Sequence, residues 1–382
     1  MPRPYDVCIR GAGIVGRTLA LQLASQRLRV ALVAQSPDST AAHSDVRAYA
    51  LSPASRALLE SVRCWPEEMH ATPVLSMQVQ TADQGQPGAS VQFDATAQSA
   101  PALNWIVDVP VLEQLLADAV RFQPLIELHT EAQTAALTVV CEGRTSSTRE
   151  EFGVDFDVTP YHQSAVAARV QSTLPHGQVA RQWFADGEIL AFLPMGGPQG
   201  SSYALVWSVT PERAKSLLDL TPEAFCSALE SASGMAQGTL TLCSDRKTWS
   251  LQAALAQRWC GSAVQAGTQT SWVLAGDAAH NVHPLAGQGL NLGLGDAAEL
   301  ARVLEARPYW RTVADLKLLR AYERARKAEY AMVGGSGDVL QQLFSQNNAA
   351  VQNVRDWGMR AFERSGALKN WIARRAMGAA PV

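Results

Sequence analysis

The sequence has little net charge, no paired cysteines and no basic cluster. Its 32 Lys and Arg residues against 35 Asp and Glu residues give a formal net charge of −3. No Lys/Arg block interleaved with aromatic residues occurs, which argues against a nucleic acid partner. The six cysteines show no C-x-x-C pair and no histidine at zinc spacing. We therefore expect reduced thiols and no metal site.

Long apolar runs are also missing. None reaches the length of about 18 residues that a membrane-spanning helix needs. The N-terminus enters a predicted strand almost at once, which leaves no room for a signal peptide. With 382 residues and 47% hydrophobic content, the chain can bury a full core. These features predict a cytoplasmic globular protein of two or more layers or domains.

What the sequence does contain begins with a βαβ pattern, YDVCIRGAGIVGRTLALQLASQRLRVALVAQ, over residues 5–35. Gly11, Gly13 and Gly16 form G-x-G-x-x-G between a short apolar run and a segment of helical periodicity. The first glycine permits a tight turn, the second lets backbone approach a pyrophosphate, and the third allows close helix–strand packing. The pattern predicts dinucleotide binding, with a plain strand–turn–helix as the alternative.

One feature of the dinucleotide pattern is missing. The second strand of such a unit usually ends on an acidic residue that binds the ribose. Ala34 and Gln35 stand there instead. Gln35 or a water molecule would have to replace the acid.

A second glycine-rich segment, VLAGDAAHNVHPLAGQGLNLGLGDAAELARVL, covers residues 273–304. Gly276 and Asp277 follow a short apolar run, and helical spacing begins after Gly287. Backbone N–H groups at such a strand-to-helix junction point outward and favour a negatively charged ligand. We expect a second helix N-terminus facing the cofactor.

This segment resembles the GD motif and flavin-facing helix of the class A aromatic flavoprotein monooxygenases, in particular the ubiquinone-biosynthesis hydroxylases (UbiH, UbiF, UbiI and Coq6 type). DVRAYALSPASRALLESV from Asp45 and LLRAYERARKAEYAMV from Leu318 also resemble that family, so the similarity spans almost the whole chain. It implies an α/β fold with a three-layer, Rossmann-like FAD-binding domain on a mostly parallel sheet. An inserted antiparallel β-sheet substrate domain and a helical C-terminus complete the implied fold.

The resemblance also implies a division of the chain. A first FAD-binding segment is expected at residues 1–151, with a small inserted β segment at about 70–108. The substrate sheet is expected at 152–260, a second FAD-binding segment at 261–310, and a helical region at 311–382. Within the substrate sheet, ILAFLPMGG and SSYALVWSV have the glycine-bounded apolar pattern of hairpin strands.

The activity implied by the resemblance is FAD-dependent aromatic hydroxylation. NAD(P)H would reduce FAD, O2 would form a C4a-hydroperoxide, and an electron-rich ring would attack its distal oxygen. The implied substrate is a lipophilic, polyprenylated phenol intermediate of ubiquinone biosynthesis. A homo-oligomer or a ubiquinone-biosynthesis complex is the expected assembly.

The resemblance assigns roles to residues around the flavin. Asp277 would bind ribityl hydroxyls, and amides near Gly287 would stabilise negative charge on the reduced ring. The full expected cofactor set is Gly11, Gly13, Gly16, Gln35, Arg47, Gly276, Asp277, Pro284, Gly287, Gln288, Gly289, Leu290 and Asn291.

Three of the nearby residues are catalytic candidates. Arg47 would lie near the flavin and its pyrophosphate, with a surface salt bridge as the alternative. Pro284 would shape the face where oxygen reacts. His280 is the third candidate, although it and His283 have no further ligand nearby that would make a metal site.

Two further regions have open interpretations. Phe192, Pro194, Met195 and Trp207 are expected in a substrate pocket wall, with plain sheet core as the alternative. The basic, tryptophan-containing segment at residues 354–378 would either lie on an anionic membrane, peripheral to the inner membrane, or form packed terminal helices.

The sequence departs from the family pattern at the adenosine end of the FAD site. Val109 and Pro110 replace a polar pair, and Glu142 replaces an aspartate. About 25 residues that would form extra strands before Val139 are missing. Two hypotheses remain: a working hydroxylase, or a flavin-poor, non-catalytic paralogue that binds a lipid-like aromatic or partner proteins. A simple NAD dehydrogenase would leave the second glycine segment unexplained.

Overall fold

The computed structural model describes residues 5–34, 45–83, 86–265, 267–282 and 288–345. The helices are α1 Ile14–Ser25, α2 Pro53–Ser61, α3 Val109–Arg121, α4 Ser147–Glu151, α5 Pro211–Asp219, α6 Pro222–Ala232, α7 Gln288–Glu305 and α8 Leu316–Ser345. The strands are β1 Tyr5–Arg10, β2 Val30–Val33, β3 Ala48–Leu51, β4 Ala71–Val74, β5 Ser76–Asp83, β6 Gln86–Asp94, β7 Asn104–Asp108, β8 Ile126–His129, β9 Ala135–Val140, β10 Phe156–Ser172, β11 Val179–Ala185, β12 Glu188–Met195, β13 Ser202–Val209, β14 Leu240–Leu242, β15 Lys247–Ala256, β16 Cys260–Gln265, β17 Thr268–Leu274 and β18 His280–Asn281.

A mostly parallel sheet has the strand order β16-β17-β9-β1-β2-β8. All neighbouring pairs are parallel except β16 and β17. From β1 the chain builds outward to β2 and β8 on one side, and later to β9 and β17 on the other. This reversal of strand order between β1 and β9 opens a crevice at the carboxyl ends of the strands.

Helices α1, α3 and α7 cover one face of the parallel sheet. Val7 and Ile9 of β1, with no exposed surface, pack in one core with Leu19, Leu112 and Leu300 from these helices. Burial of such side chains contributes roughly 1.5–3 kcal/mol each. The packing therefore fixes α1 and α7 against the sheet, with their N-termini at its carboxyl edge.

A second, mostly antiparallel sheet has the order β18-β15-β10-β13-β12-β11-β5-β6, with β14 paired to β10. The predicted hairpin strands are confirmed as β12 and β13, which pair antiparallel. Thr210 and Thr221 cap α5 and α6, each followed by proline. These two helices pack on one face of the sheet.

The fold agrees with the expected α/β architecture, its antiparallel sheet and its helical C-terminal region. The expected inserted β segment at about 70–108 contains strands β4 to β7. Strand β5 pairs in parallel with β11 and, together with β6, extends the antiparallel sheet. Strands β4 and β7 of the same segment pair with β3 in a three-stranded sheet. The domain boundaries stay a prediction.

The connection before β9 is short, as the sequence suggested. Only residues 130–134 separate β8 from β9. Between residues 5 and 345, leaving aside the undescribed gaps, no helix combines the length and apolarity needed to cross a membrane.

Candidate functional site

A cleft of about 760 Å³ lies at the carboxyl ends of β1, β2, β9 and β17. Cavities of roughly 300–1,000 Å³ are typical of cofactor and ligand sites. Both glycine motifs line this cleft, through Gly11, Gly13, Gly276, Asp277, Gly289 and Gly293. Two segments more than 250 positions apart in sequence, at Gly13 and Gly276, therefore meet in one site.

The three glycines of the first motif have different surroundings. Gly11 has φ +113°, and a Cβ there would lie 2.3 Å from the carbonyl oxygen of Cys141. A Cβ on Gly16 would lie 2.0 Å from the carbonyl oxygen of Gly11. A Cβ on Gly13 would meet nothing within 4 Å. Gly11 and Gly16 are thus required by the fold, whereas Gly13 leaves open space in the cleft beside the start of α1.

The Gly276–Asp277 turn forms the opposite wall. Gly276 has φ +62° and begins a short 3-10 helix, Gly276–Ala278. The Asp277 side chain is exposed to the cleft, but the protein around it limits its hydration. This desolvation raises the pKa of Asp277, and the nearby His280 opposes the rise.

The start of α7 contributes backbone and apolar surface. Gly289 and Leu290 line the cleft, and a Cβ on Gly289 would meet nothing within 4 Å. A Cβ on Gly293 would lie 2.8 Å from Cγ2 of Val15, which shows how closely α7 approaches α1. The N-termini of both helices therefore approach the same space.

Two expected cofactor residues of α7 do not line the cleft, namely Gln288 and Asn291. The Asn291 amide donates to the Ala50 carbonyl at 2.8 Å, and its oxygen accepts from the Ser52 backbone N–H at 2.9 Å. Its side-chain oxygen also accepts from the Ser55 hydroxyl at 2.7 Å. Asn291 thus holds the junction of β3 and α2 instead of facing the cleft.

Arg47 lines the cleft and takes part in salt bridges. Its Nε donates to Asp45 at 2.9 Å, and its Nη2 lies 3.3 Å from Glu113. The hydrogen bond to Asp45 raises the pKa of Arg47. The guanidinium is therefore in the salt bridges of the alternative interpretation and also borders the cleft, and its position beside the flavin stays a prediction.

His280 is not placed for catalysis. It is 2% exposed, does not line the cleft, and its Nε2 lies 2.7 Å from Oδ2 of the buried Asp296. Its ring stacks on Trp259 with centroids 4.9 Å apart. The catalytic assignment is corrected, because the imidazole is enclosed by the core behind the Gly276–Asp277 turn.

The expected substrate wall is also corrected. Phe192 and Trp207 point toward α5 and α6 and are buried in the core there. Met195 packs with Val74 and Ile106 in another core, and Pro194 is buried as well. None of the four lines the cleft. Side chains alternate between the faces of a strand, and both faces of β12 are covered by other elements.

Three expected residues, Gln35, Pro284 and Gly287, lie outside the described residues, as do His283 and the basic segment at 354–378. Among the residues that are described, no group of three or more potential ligands could hold a metal ion.

The Glu142 carboxylate stabilises the loop after β9. It accepts from the Ser146 hydroxyl at 2.8 Å, from the Thr148 hydroxyl at 2.6 Å and from Arg10 Nε at 3.1 Å. Burial alone would raise the pKa of Glu142, but the hydrogen bonds from Thr148 and Ser146 outweigh it and lower the pKa. The residue borders the cleft, but these partners all belong to this loop, the helix α4 that follows it and β1.

Other cleft residues were not found by sequence reasoning. Arg17 lies one turn beyond Gly13 on α1, and Tyr49 lies two residues beyond Arg47 on β3. Each position lies one helical turn or two strand residues from a recognised motif residue, and therefore on the same side of its element. This spacing could have identified both residues. Residues 249–252 of β15 also line the cleft, but β15 reaches it only by pairing with β10 and β18. No local signal marks them.

Comparisons with known proteins agree with this architecture. A family model described as "FAD binding domain" matches residues 129–333. Ubiquinone hydroxylase UbiL of Rhodospirillum rubrum is 30% identical, over 98% of this chain and 89% of that protein. The chain belongs to the FAD-dependent hydroxylase family of ubiquinone biosynthesis. It is an FAD-dependent monooxygenase.

Another relative and a solved structure are also similar to this chain. The 3-demethoxyubiquinol 3-hydroxylase of Escherichia coli K12 is 29% identical over 98% of this chain and 99% of that protein. The crystal structure of PqsL, a probable FAD-dependent monooxygenase from Pseudomonas aeruginosa, has a TM-score of 0.72 at 22% identity, covering 94% of this chain and 99% of that one. At that identity the likeness shows the shared fold.

The cleft of this hydroxylase fits FAD. Open space beside Gly13 and Gly289 leaves room for phosphate and ring next to helix N-termini. Arg17 and Arg47 supply positive charge, and Asp277 supplies an acceptor exposed to the cleft. The end of β2, at Val33 and Ala34, borders the cleft without a carboxylate.

Proposed function

We propose that this monooxygenase hydroxylates the ring of a polyprenylated phenol intermediate of ubiquinone biosynthesis. The relatives at 29% and 30% identity, a demethoxyubiquinol hydroxylase and a ubiquinone hydroxylase, support this substrate class. The observation that carries the proposal is the convergence of Gly13, Asp277 and Gly289 on a cleft that also has apolar walls.

The cleft geometry supports the following cofactor roles. Gly13 and the N-terminus of α1 would hold the pyrophosphate, together with Arg47. Asp277 would accept hydrogen bonds from the ribityl hydroxyls. The backbone at Gly289 and the dipole of α7 would stabilise negative charge on the reduced ring.

The remaining cleft residues orient the substrate ring and exclude water. Bound FAD supplies electron transfer from NAD(P)H and the activation of O2. Trp249, Leu251 and Leu290 form apolar surface in the cleft. A tyrosine hydroxyl is protonated at neutral pH, and burial raises the pKa of Tyr49 further. In this proposal the Tyr49 hydroxyl donates a hydrogen bond to the phenol oxygen.

The test uses the FAD-loaded enzyme with NAD(P)H and isotopically labelled O2. A polyprenylated phenol should stimulate NAD(P)H oxidation and yield a product that carries one labelled oxygen. The same phenol without its prenyl chain is the control and should react more slowly. NAD(P)H oxidation that releases only hydrogen peroxide with every phenol would overturn the assigned substrate class.

The lipophilic substrate also suggests peripheral contact with a membrane. The segment expected to make it, residues 354–378, lies outside the described residues. Sedimentation with anionic vesicles, compared between the full chain and a chain ending at residue 345, measures this contact. Equal sedimentation of the two chains would remove the segment from that role.

A further inference from the structure

We propose that Asp296 and Arg326 are positioning residues that hold the Gly276–Asp277 turn in its FAD-binding shape. Neither side chain lines the cleft, so both act through the turn. The inference rests on the FAD site proposed above and adds a buried charged pair that supports it from behind.

Asp296 is fully buried and accepts three hydrogen bonds. Its Oδ2 accepts from the Gly276 backbone N–H at 2.8 Å and from His280 Nε2 at 2.7 Å. Its Oδ1 accepts from Arg326 Nε at 2.7 Å. One carboxylate thus joins the first residue of the turn to α8 through α7.

These partners keep the Asp296 carboxylate ionised. Burial alone would raise the pKa of Asp296, but His280 and Arg326 outweigh it and lower the pKa. Arg326 balances the carboxylate and also donates from Nη2 to the Leu292 carbonyl at 3.0 Å. Buried ion pairs give little net stability compared with apolar packing, so the orientation of the turn is the effect we assign to this pair.

Side chains on one face of α8 hydrogen-bond to the backbone on both sides of the turn. The Tyr322 hydroxyl donates to the Leu274 carbonyl at 2.9 Å, just before Gly276. The Tyr330 hydroxyl donates to the Asn281 carbonyl at 3.3 Å, just after the turn. Arg326 lies between these two residues on the same helical face. The helix therefore fixes the chain on both sides of the residue that Asp296 holds.

The first variant is Asp296→Asn. Asparagine keeps the shape but offers a single acceptor oxygen and places an N–H among three donors. We expect FAD to bind about 5- to 150-fold more weakly, the range for a buried group left unsatisfied. The matched control is Leu229→Ala, a core change in α6 away from the cleft, which lowers stability without touching the turn.

The second test uses Arg326. Arg326→Gln removes the charge and should weaken FAD binding as Asp296→Asn does. Arg326→Lys keeps the charge and should restore part of the affinity. In the double variant Asp296→Asn/Arg326→Gln neither member of the pair carries a charge without its partner, so it should lose less affinity than the product of the two single losses. Flavin fluorescence titration measures the FAD affinity of each variant, at a temperature below the one at which that variant unfolds.

The outcomes separate the two proposals. Wild type that binds no FAD overturns the site and this inference together. Wild type that binds FAD, with Asp296→Asn and Arg326→Gln binding equally well, overturns the inference alone. An equal affinity loss in Leu229→Ala would also overturn it, since general loss of stability would then explain the effect.

Discussion

Asp277 is a residue whose proposed role in FAD binding opposes the stability of the fold. Desolvation in the cleft raises its pKa. A carboxyl whose pKa is higher in the folded state than in the unfolded state destabilises the fold at every pH above the unfolded value of about 3.9. The penalty is complete once the pH exceeds the folded pKa, and it fades as the pH falls toward about 4.

We predict that Asp277→Asn raises the melting temperature of the FAD-free protein at pH 7 and weakens FAD binding. Losing a charge-assisted hydrogen bond in favour of a neutral one should cost about 1–2 kcal/mol, or roughly 5- to 30-fold in affinity. Thermal unfolding at pH 7 and near pH 4 checks the sign. A stability gain that is the same at both pH values would contradict the desolvation mechanism.

Ala34 marks the place of the missing ribose acid. Its backbone N–H donates to the His129 carbonyl at 2.9 Å, and the residue borders the cleft just beyond β2. Ala34→Glu should therefore strengthen FAD binding by about 1.5–3 kcal/mol, the range for hydrogen bonds to charged groups. FMN lacks the adenosine ribose and should bind unchanged. Equal gains for FAD and FMN in parallel titrations would count against a ribose contact.

At the scale of elements, the two glycines at the junction of β1 and α1 have different proposed roles: Gly13 in FAD binding and Gly16 in packing. Gly13→Ala should fold normally, because its Cβ meets nothing within 4 Å, yet it should lose FAD where the pyrophosphate approaches. Gly16→Ala should unfold at a lower temperature, because its Cβ would lie 2.0 Å from the Gly11 carbonyl oxygen. Melting curves without FAD, followed by FAD titration, distinguish them. A stability loss in Gly13→Ala would refute the division of roles.

At the scale of the whole molecule, the cleft joins segments that are distant in sequence. Its walls come from the loop after β1, from α1, β3 and β15, from the turn after β17 and from α7. FAD at about 100 times its Kd should add about 2.7 kcal/mol of stability. With an unfolding entropy of about 2.1 cal/mol/K per residue, the melting temperature should rise by about 3 °C. Gly13→Ala should show no rise, and the same shift in that variant would place FAD elsewhere.

The sequence determined the features that depend on local chemistry. Gly11 and Gly16 stand where a Cβ would collide with neighbouring carbonyl oxygens, so glycine itself marks the turn. Gly276 marks the second turn by its φ of +62°. The apolar periodicity predicted the strands and helices that carry both motifs. The family resemblance then supplied the antiparallel sheet and the cofactor.

Only the tertiary structure decided which side chains face the cleft. Phe192 and Trp207 were expected there, but α5 and α6 cover their side of the sheet, while Trp249 reaches the cleft through the pairing of β15. His280 follows the turn closely in sequence, yet Asp296 and Trp259 enclose it. A strand has two faces, and a polar side chain can hydrogen-bond to several different groups. Which face lies toward the cleft, and which group the side chain contacts, depends on residues far away in the chain. No local sequence pattern contains that information.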